Sequence, residues 1–170
     1  MLQTVRMNYV PDETVLQPAT PDSSLGNRAL RAYMAEIVGR YHGRAVTETD
    51  IDQAMRDNPS GDLRPPGGLL VVAHQRDTPV GCGGLRWLDD HVAEVTRVYV
   101  AEPARGYGLG TRLMAELERL ARGHGRTTLR LDTRSDLTEA RRLYADLGYR
   151  EIAPYNTSSY AEHWFEKNLT

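Results

Sequence analysis

Residues 94–118 read EVTRVYVAEPARGYGLGTRLMAELE. The run Ala93 to Val100 is rich in valine, tyrosine and threonine, the residue types that pack well on a pleated surface, and it predicts a strand. From Thr111 to Arg122 the apolar residues Leu113, Met114, Leu117, Leu120 and Ala121 recur at three-and-four spacing, which predicts an amphipathic helix stopped at Gly123. Between them lies Arg105-Gly106-Tyr107-Gly108-Leu109-Gly110. A strand that turns through glycines into a helix brings the helix's first free amides, and the positive end of its dipole, to one point. Glycine lets that backbone approach an anion closely. Arg105 adds a cation whose planar fork can pair with phosphate oxygens.

Two familiar phosphate loops do not fit. The third glycine of a dinucleotide-type Gly-x-Gly-x-x-Gly falls on Thr111 when counted from Gly106, and on Leu113 when counted from Gly108. No Gly-Lys-Ser/Thr follows, as a nucleoside-triphosphate loop requires. Taken alone, the turn reads first as a tight strand-to-helix connection with a solvated arginine, ahead of a ligand site.

Upstream of the loop, Pro65-Pro66-Gly67-Gly68 marks a turn, and the runs Leu69 to Ala73 and Pro79 to Leu88 read as an antiparallel hairpin leading into the strand at Ala93. Gly81-Cys82-Gly83-Gly84 predicts a bulge in the second of these. Earlier still, Ser23 or Ser24 caps a helix carrying Leu25, Ala29, Leu30, Tyr33, Ile37, Val38 and Tyr41 on one stripe, closed by Gly43. Thr47 and Asp50 form a capping box for a second helix through Ile51, Ala54 and Met55. A short extended segment is predicted at Thr14 to Gln17, and residues 1–11 read as a loose arm ahead of a single domain at 12–170.

Downstream, Thr127 to Asp132 predicts a strand that a right-handed crossover lays parallel beside the one at Ala93. Leu137 to Leu147 predicts a helix with Ala140, Leu143 and Tyr144 on its apolar side, stopped by Gly148. Tyr149 to Ile152 and Trp164 to Leu169 then form a last strand pair. The fold class is therefore α/β: a mixed, largely antiparallel sheet with one parallel pair in the middle and helices on both faces.

Composition is consistent with one globular domain of 170 residues, and the net charge of -2 gives no basic excess for a nucleic-acid partner. Arginines are nonetheless dense between residues 105 and 142, where an anionic small molecule could dock. Cys82 is the sole cysteine, so no intrachain disulfide forms. Residues 1–11 lack the apolar run of a signal peptide, and no stretch approaches the ~20 apolar residues of a membrane span. The expected location is cytoplasmic, with no membrane partner. The five histidines are scattered without metal-ligand spacing, so no metal is expected.

Glu94 to Pro103, the glycine loop and Leu113 to Glu118 together resemble the central motif of the GCN5-related N-acetyltransferase (GNAT) family, and Ala140-Arg-Arg-Leu-Tyr144 to Gly148-Tyr149 resembles its next motif. The resemblance is good over roughly residues 68–152. It implies a sheet whose two central parallel strands splay apart to admit the pantetheine arm of acetyl-CoA, used as cosubstrate. Carried over by position, Val98, Tyr99 and Val100 would meet the thioester and pantetheine along the open strand edge. Gly106, Tyr107, Gly108, Leu109, Gly110 and Thr111 would cradle the diphosphate beside Arg105, and Ala140 would line the slot. The sequence departs from the family at Leu137, where Asn is common. Homodimers are common among proteins of this kind.

Acetyl transfer to an amine implies a proton acceptor, because an alkyl amine of pKa ~10.4 costs ~4.6 kcal/mol to deprotonate at neutrality. Glu94 is the first choice, working through a water; strand parity puts it on the face of Thr96 and Val98 unless a bulge intervenes. An exposed edge carboxylate is the plainer reading of the same residue. Tyr144 matches the tyrosine that the family places near the departing sulfur, and is otherwise a core aromatic. The segment Tyr155 to Trp164, with His163, is a polar and aromatic loop where an acceptor could be contacted. Nothing in these residues places a histidine to activate Cys82 as a nucleophile. The expected activity is acetyl transfer from acetyl-CoA to a primary amine of a small molecule or peptide, by direct attack in a ternary complex. The alternative is a non-catalytic acyl-CoA-binding or protein-interaction module of the same fold.

Overall fold

A computed structural model of the chain describes residues 8–170; residues 1–7 of the expected arm lie outside the described part. Three strands, β2 (Gly68–Gln75), β3 (Thr78–Trp87) and β4 (Val92–Val100), form the antiparallel meander read from the sequence. β1 (Val15–Pro18) adds to the outer edge of β2. On the other side β5 (Thr128–Thr133) runs parallel to β4, and β7 (His163–Asn168) lies antiparallel between β5 and β6 (Arg150–Ile152). The sheet order is β1-β2-β3-β4-β5-β7-β6.

Four helices cover both faces. α1 (Ser24–His42) starts at Ser23, whose hydroxyl accepts from the Gly26 amide at 3.1 Å, and ends at Gly43 with φ 62°. Each such cap is worth ~1 kcal/mol. α2 (Glu48–Asp57) opens on the expected capping box, with Thr47 and Asp50 bonded reciprocally at 3.2 and 3.0 Å. α3 (Leu109–Gly123) and α4 (Thr138–Asp146) are the crossover helices. Alternation along β2 assigns the faces: Val71 and Ala73 pack toward α3, Leu70 and Val72 toward α1. No helix among the described residues is long and apolar enough to cross a membrane.

The centre of the sheet carries the feature that positions the site. β4 and β5 share only three parallel rungs, Val92 with Thr128 through Glu94 with Arg130. Beyond them β4 stays with β3 as far as Val100, while β5 follows β7 to Thr133. The edge of β4 from Val95 onward therefore has no strand partner on the β5 side, and the sheet splays as the resemblance implies.

A bulge sits at the start of this open edge. Cys82 pairs with Tyr99 and Gly84 with Thr96, so Arg97 and Val98 together oppose the single residue Gly83. Arg97 takes φ 58°, the left-handed region that a non-glycine residue adopts at a cost of ~1–3 kcal/mol. The buried Cys82 thiol donates to the Arg97 carbonyl at 3.2 Å and ties the bulge down. Gly83 is required for a different reason: a Cβ there would lie 2.8 Å from Leu117 Cδ1 of α3. The bulge was expected within Gly81 to Gly84, and the register does shift there, but the extra residue belongs to β4.

Several expectations need correcting. α3 begins at Leu109 instead of Thr111, because Gly108 at φ 80° serves as N-cap and two residues without capping side chains follow it into the helix. α4 begins at Thr138, leaving Leu137 as its N-cap without a side-chain bond. The extra residue in β4 also reverses parity: Val98 joins Ala93 and Val95 on the α3 side, so it does not share the face of Glu94 and Thr96.

Candidate active site

The splay opens into two adjoining cavities. One, of about 310 Å³, lies beside the glycine loop; its wall includes Val98, Tyr99, Val100, Arg105, Gly106, Gly108, Leu109, Gly110, Thr111 and Ala140. Ten of the predicted cofactor residues thus gather on one surface. Tyr107 does not: its ring is 56% exposed and lies 5.1 Å from that of Tyr9, outside the cavity wall. The second cavity, about 410 Å³, is lined by Glu94, Thr96, Arg97, Asp132 and residues of α1 and α2. Tyr33, Ile37, Val98, Leu137, Ala140 and Tyr144 border both, so the two cavities meet along a shared wall.

At the loop end, the amides of Leu109, Gly110 and Thr111 find no carbonyl or side-chain acceptor among the described residues; the first bonded amide is Arg112, to Gly108 at 3.1 Å. The N-cap has no side-chain donor or acceptor in place. Gly106 and Gly108 have positive φ, and no atom of the described residues lies within 4 Å of where a Cβ would stand. Gly110 is needed for closeness, since a Cβ there would lie 3.1 Å from Leu143 on α4. This is a bare helix terminus facing a cavity, with the partial positive charge that favours an anion.

Arg105 is less free than the sequence suggested. Its Nε donates to the Val100 carbonyl at 3.0 Å and its Nη2 to Glu36 at 2.9 Å. Glu36 also accepts from Arg40 at 2.9 Å, and Arg40 pairs with Glu139 on α4. An ion-pair chain therefore links the loop, α1 and α4 around the smaller cavity. None of its acidic members was singled out in the sequence, because their meeting depends on α1 crossing the open end of the sheet.

In the larger cavity Glu94 is present but committed. One carboxylate oxygen accepts from Arg86 at 2.9 Å and the other from the Tyr155 hydroxyl at 2.9 Å, with the side chain 12% exposed. Burial, together with the adjacent Glu94 charge, pushes the Tyr155 phenol up, so it stays a donor. Across the splay stands Asp132, which sequence reading passed over. It accepts one bond from Asn156 at 2.7 Å, and no cation among the described residues pairs with it. Burial raises its pKa above the usual carboxylate value; the Asn156 bond opposes this and the Glu94 charge adds to it. The signal was available: Leu129 and Leu131 point to the core, so alternation puts Asp132 at the strand end on the other face.

Tyr144 is buried at 6% exposure on α4 and borders both cavities. Burial raises its pKa, which keeps the phenol protonated, and its hydroxyl takes no bond from the described residues. It is thus a donor without an acceptor on the wall that the two cavities share. From the late polar loop, Tyr155 reaches Glu94, while Ser158 and Tyr160 line the larger cavity. His163 does not line it: its ring lies between Ser135 at 2.9 Å and Glu151 at 2.8 Å. Cys82 is fully buried with its thiol pushed up to about 12, which leaves it inert. No group of His, Cys, Asp and Glu able to hold a metal occurs among the described residues.

The model of the Acetyltransferase (GNAT) family matches residues 30–149. An uncharacterized N-acetyltransferase of Schizosaccharomyces pombe is 30% identical over 115 residues, covering 66% of this chain and 70% of its own. Among solved structures, a GNAT family acetyltransferase from Elizabethkingia anophelis with acetyl-CoA bound superposes with TM-score 0.61 at 18% identity, over 92% of this chain and 99% of that one. The PaiA N-acetyltransferase of Thermoplasma acidophilum in complex with coenzyme A gives TM-score 0.69 at 17% identity, over 91% and 98%. The two structures share the fold, and the family match spans the bulged strand, the bare helix terminus and Tyr144: the chain belongs to the GNAT family of acetyltransferases.

Proposed function

We propose that this acetyltransferase moves the acetyl group of acetyl-CoA onto a primary amine by direct attack within a ternary complex. The observation that carries the reading is the pair of adjoining cavities along the open edge of β4, one at the unbonded amides of Leu109 to Thr111 and the other holding a desolvated carboxylate. The residues fit the cosubstrate. The helix terminus and Arg105 suit a diphosphate, and the β4 edge that has no strand on the β5 side suits an amide-bearing arm, with the Val100 carbonyl already taken by Arg105. Bound acetyl-CoA supplies an activated thioester carbonyl.

Within this reading, the bulge aims main-chain donors of the open β4 edge at the carbonyl oxygen, where negative charge develops. Asp132 takes the amine's proton, directly or through a water. Its raised pKa makes it a better acceptor than an ordinary carboxylate, and it has fewer prior bonds than Glu94. Glu94, held by Arg86 and Tyr155, keeps a negative charge beside the entering ammonium. Tyr144 donates to the departing sulfur. The carbon–nitrogen bond forms as the carbon–sulfur bond breaks; of the two protons that nitrogen loses, one goes to Asp132 and on to solvent, and the other restores the one that Tyr144 gives to sulfur.

Release of coenzyme A thiol from acetyl-CoA, followed across a panel of amino acids, amino acid amides, polyamines and lysyl peptides, tests the proposal. Sustained, amine-dependent release is the expected result. Tight acetyl-CoA binding with no release across the panel would overturn it in favour of a non-catalytic acyl-CoA-binding module.

A further inference from the structure

The acceptor cavity presents two charges of opposite sign, neither in a direct ion pair, that feel each other only at longer range. Asp132 on β5 is one. The other is Arg97, at the β4 bulge, which lines the same cavity. Two other arginines show the contrast: Arg86 is paired with the wall residue Glu94 at 2.9 Å, and Arg134, itself in the wall, with Asp136 at 2.8 Å. Arg97 instead donates only to neutral acceptors: Nε to the Ser60 hydroxyl at 3.1 Å, Nη1 to the Thr96 hydroxyl at 3.2 Å, and Nη2 to the Asn58 carbonyl at 3.3 Å. No carboxylate of the described residues comes within ion-pair distance.

These contacts fix the guanidinium without neutralising it. The Tyr33 ring, 5.7 Å away, supports it on another side. Three of a guanidinium's five N–H donors are engaged, which leaves one N–H on each terminal nitrogen for an oxyanion. The backbone reaches this placement through the left-handed conformation at Arg97, a strained geometry of the sort that persists where the surroundings over-determine it. A partly buried charge without a partner is costly, and so is a desolvated carboxylate. One of each, on the two diverging strands, favours a ligand that brings the complementary pair.

Building on the acetyltransferase reading, we infer that the acceptor is a zwitterion of the amino acid type, whose carboxylate pairs with Arg97 while its amine faces Asp132. A polyamine or a lysyl side chain would meet Asp132 but would leave Arg97 facing a cationic or neutral group. The mouth of the cavity carries Tyr41 and Tyr160 with ring centroids 5.8 Å apart, a wall suited to an apolar side chain.

The test compares L-phenylalanine, L-leucine and L-methionine with their C-terminal amides, which keep the amine and remove the anionic group. The acids are expected to exceed their amides in kcat/KM by about ten- to a hundredfold, the range for one charge-assisted contact, with the difference in KM. In Arg97→Gln this preference collapses toward unity, and Arg97→Lys, which keeps the charge but loses the fork, retains part of it. Because Arg97 also anchors the bulge, melting of the acetyl-CoA-loaded protein with each acid and amide gives a second readout independent of turnover. Acid-selective stabilisation that disappears in Arg97→Gln supports the inference even where turnover is absent, in which case only the catalytic reading falls. Equal turnover of acid and amide, or a higher rate on polyamines, refutes the zwitterion while leaving acetyl transfer intact.

Discussion

Replacing Arg105 by alanine should weaken acetyl-CoA binding by roughly two- to a hundredfold, and the structure sets that range. A guanidinium–phosphate contact is charge-assisted and worth ~1.5–3 kcal/mol. Arg105 does not start free, however, since its Nη2 lies 2.9 Å from Glu36. The pair is about a third exposed, at 37% and 30% for the two side chains, so its worth falls in the screened range of ~0.2–1 kcal/mol. Subtracting one from the other leaves ~0.5–2.8 kcal/mol, which converts to the stated fold-change. The same reasoning gives Glu36→Gln the opposite sign: with the competing carboxylate neutral, acetyl-CoA should bind about 1.4- to fivefold tighter. Calorimetric titration of both variants and the wild type, at low and at raised salt, checks both. Salt should narrow the Arg105→Ala difference. An Arg105→Ala affinity within twofold of wild type at low salt would refute the placement of the diphosphate. A weaker Glu36→Gln would mean that Glu36 aims the guanidinium instead of withholding it.

Tyr144→Phe should lower kcat by about ten- to a hundredfold while leaving acetyl-CoA affinity and thermal stability close to wild type, because the hydroxyl bonds to nothing in the described protein; parallel rate and calorimetric measurements would reveal a purely packing role as unchanged turnover. Asp132→Asn should reduce kcat about a hundredfold and remove the acid limb of the pH–rate profile, whose midpoint in the wild type should lie above the ordinary carboxylate range. The same variant should melt higher than wild type at neutral pH but not in acid. A carboxyl whose folded pKa is raised costs nothing while protonated, and stability is lost as pH rises through that value; a melting difference independent of pH would contradict the shift. Gly83→Ala should destabilise by ~1–3 kcal/mol in urea titrations, since the new methyl would press on Leu117 of α3; a wild-type midpoint would show that the helix can yield.

The sequence made the frame of the site readable and hid its detail, for identifiable reasons. Periodicity, caps and the glycine turn disclosed the meander and the crossover, and the resemblance to the GNAT family pointed to ten of the residues around the smaller cavity. Short-range chemistry is written locally. The start of α3 was misplaced because its N-cap is Gly108, which works through backbone conformation and carries none of the side-chain signals of a cap. The bulge was visible on β3 as a glycine cluster, yet the residue that bulges is Arg97, and nothing about an arginine announces a positive φ. Glu94 was found, but its engagement by Tyr155, 61 residues away, required the last loop to fold back over the sheet. Asp132 and Glu36 acquire their meaning from the divergence of β4 and β5 and from the helix that crosses it, and both are consequences of tertiary packing.

The buried Cys82 thiol, pinned to the Arg97 carbonyl, bears on how turnover can be followed and on what intermediates are open to the protein. It is the sole sulfhydryl in the chain, and neither a reagent nor a thioester can reach it. A colorimetric thiol reagent should therefore see only the liberated coenzyme and give no background from the folded protein. Nor can an acetyl group rest on sulfur between substrates, so double-reciprocal plots at several cosubstrate concentrations should intersect and not run parallel.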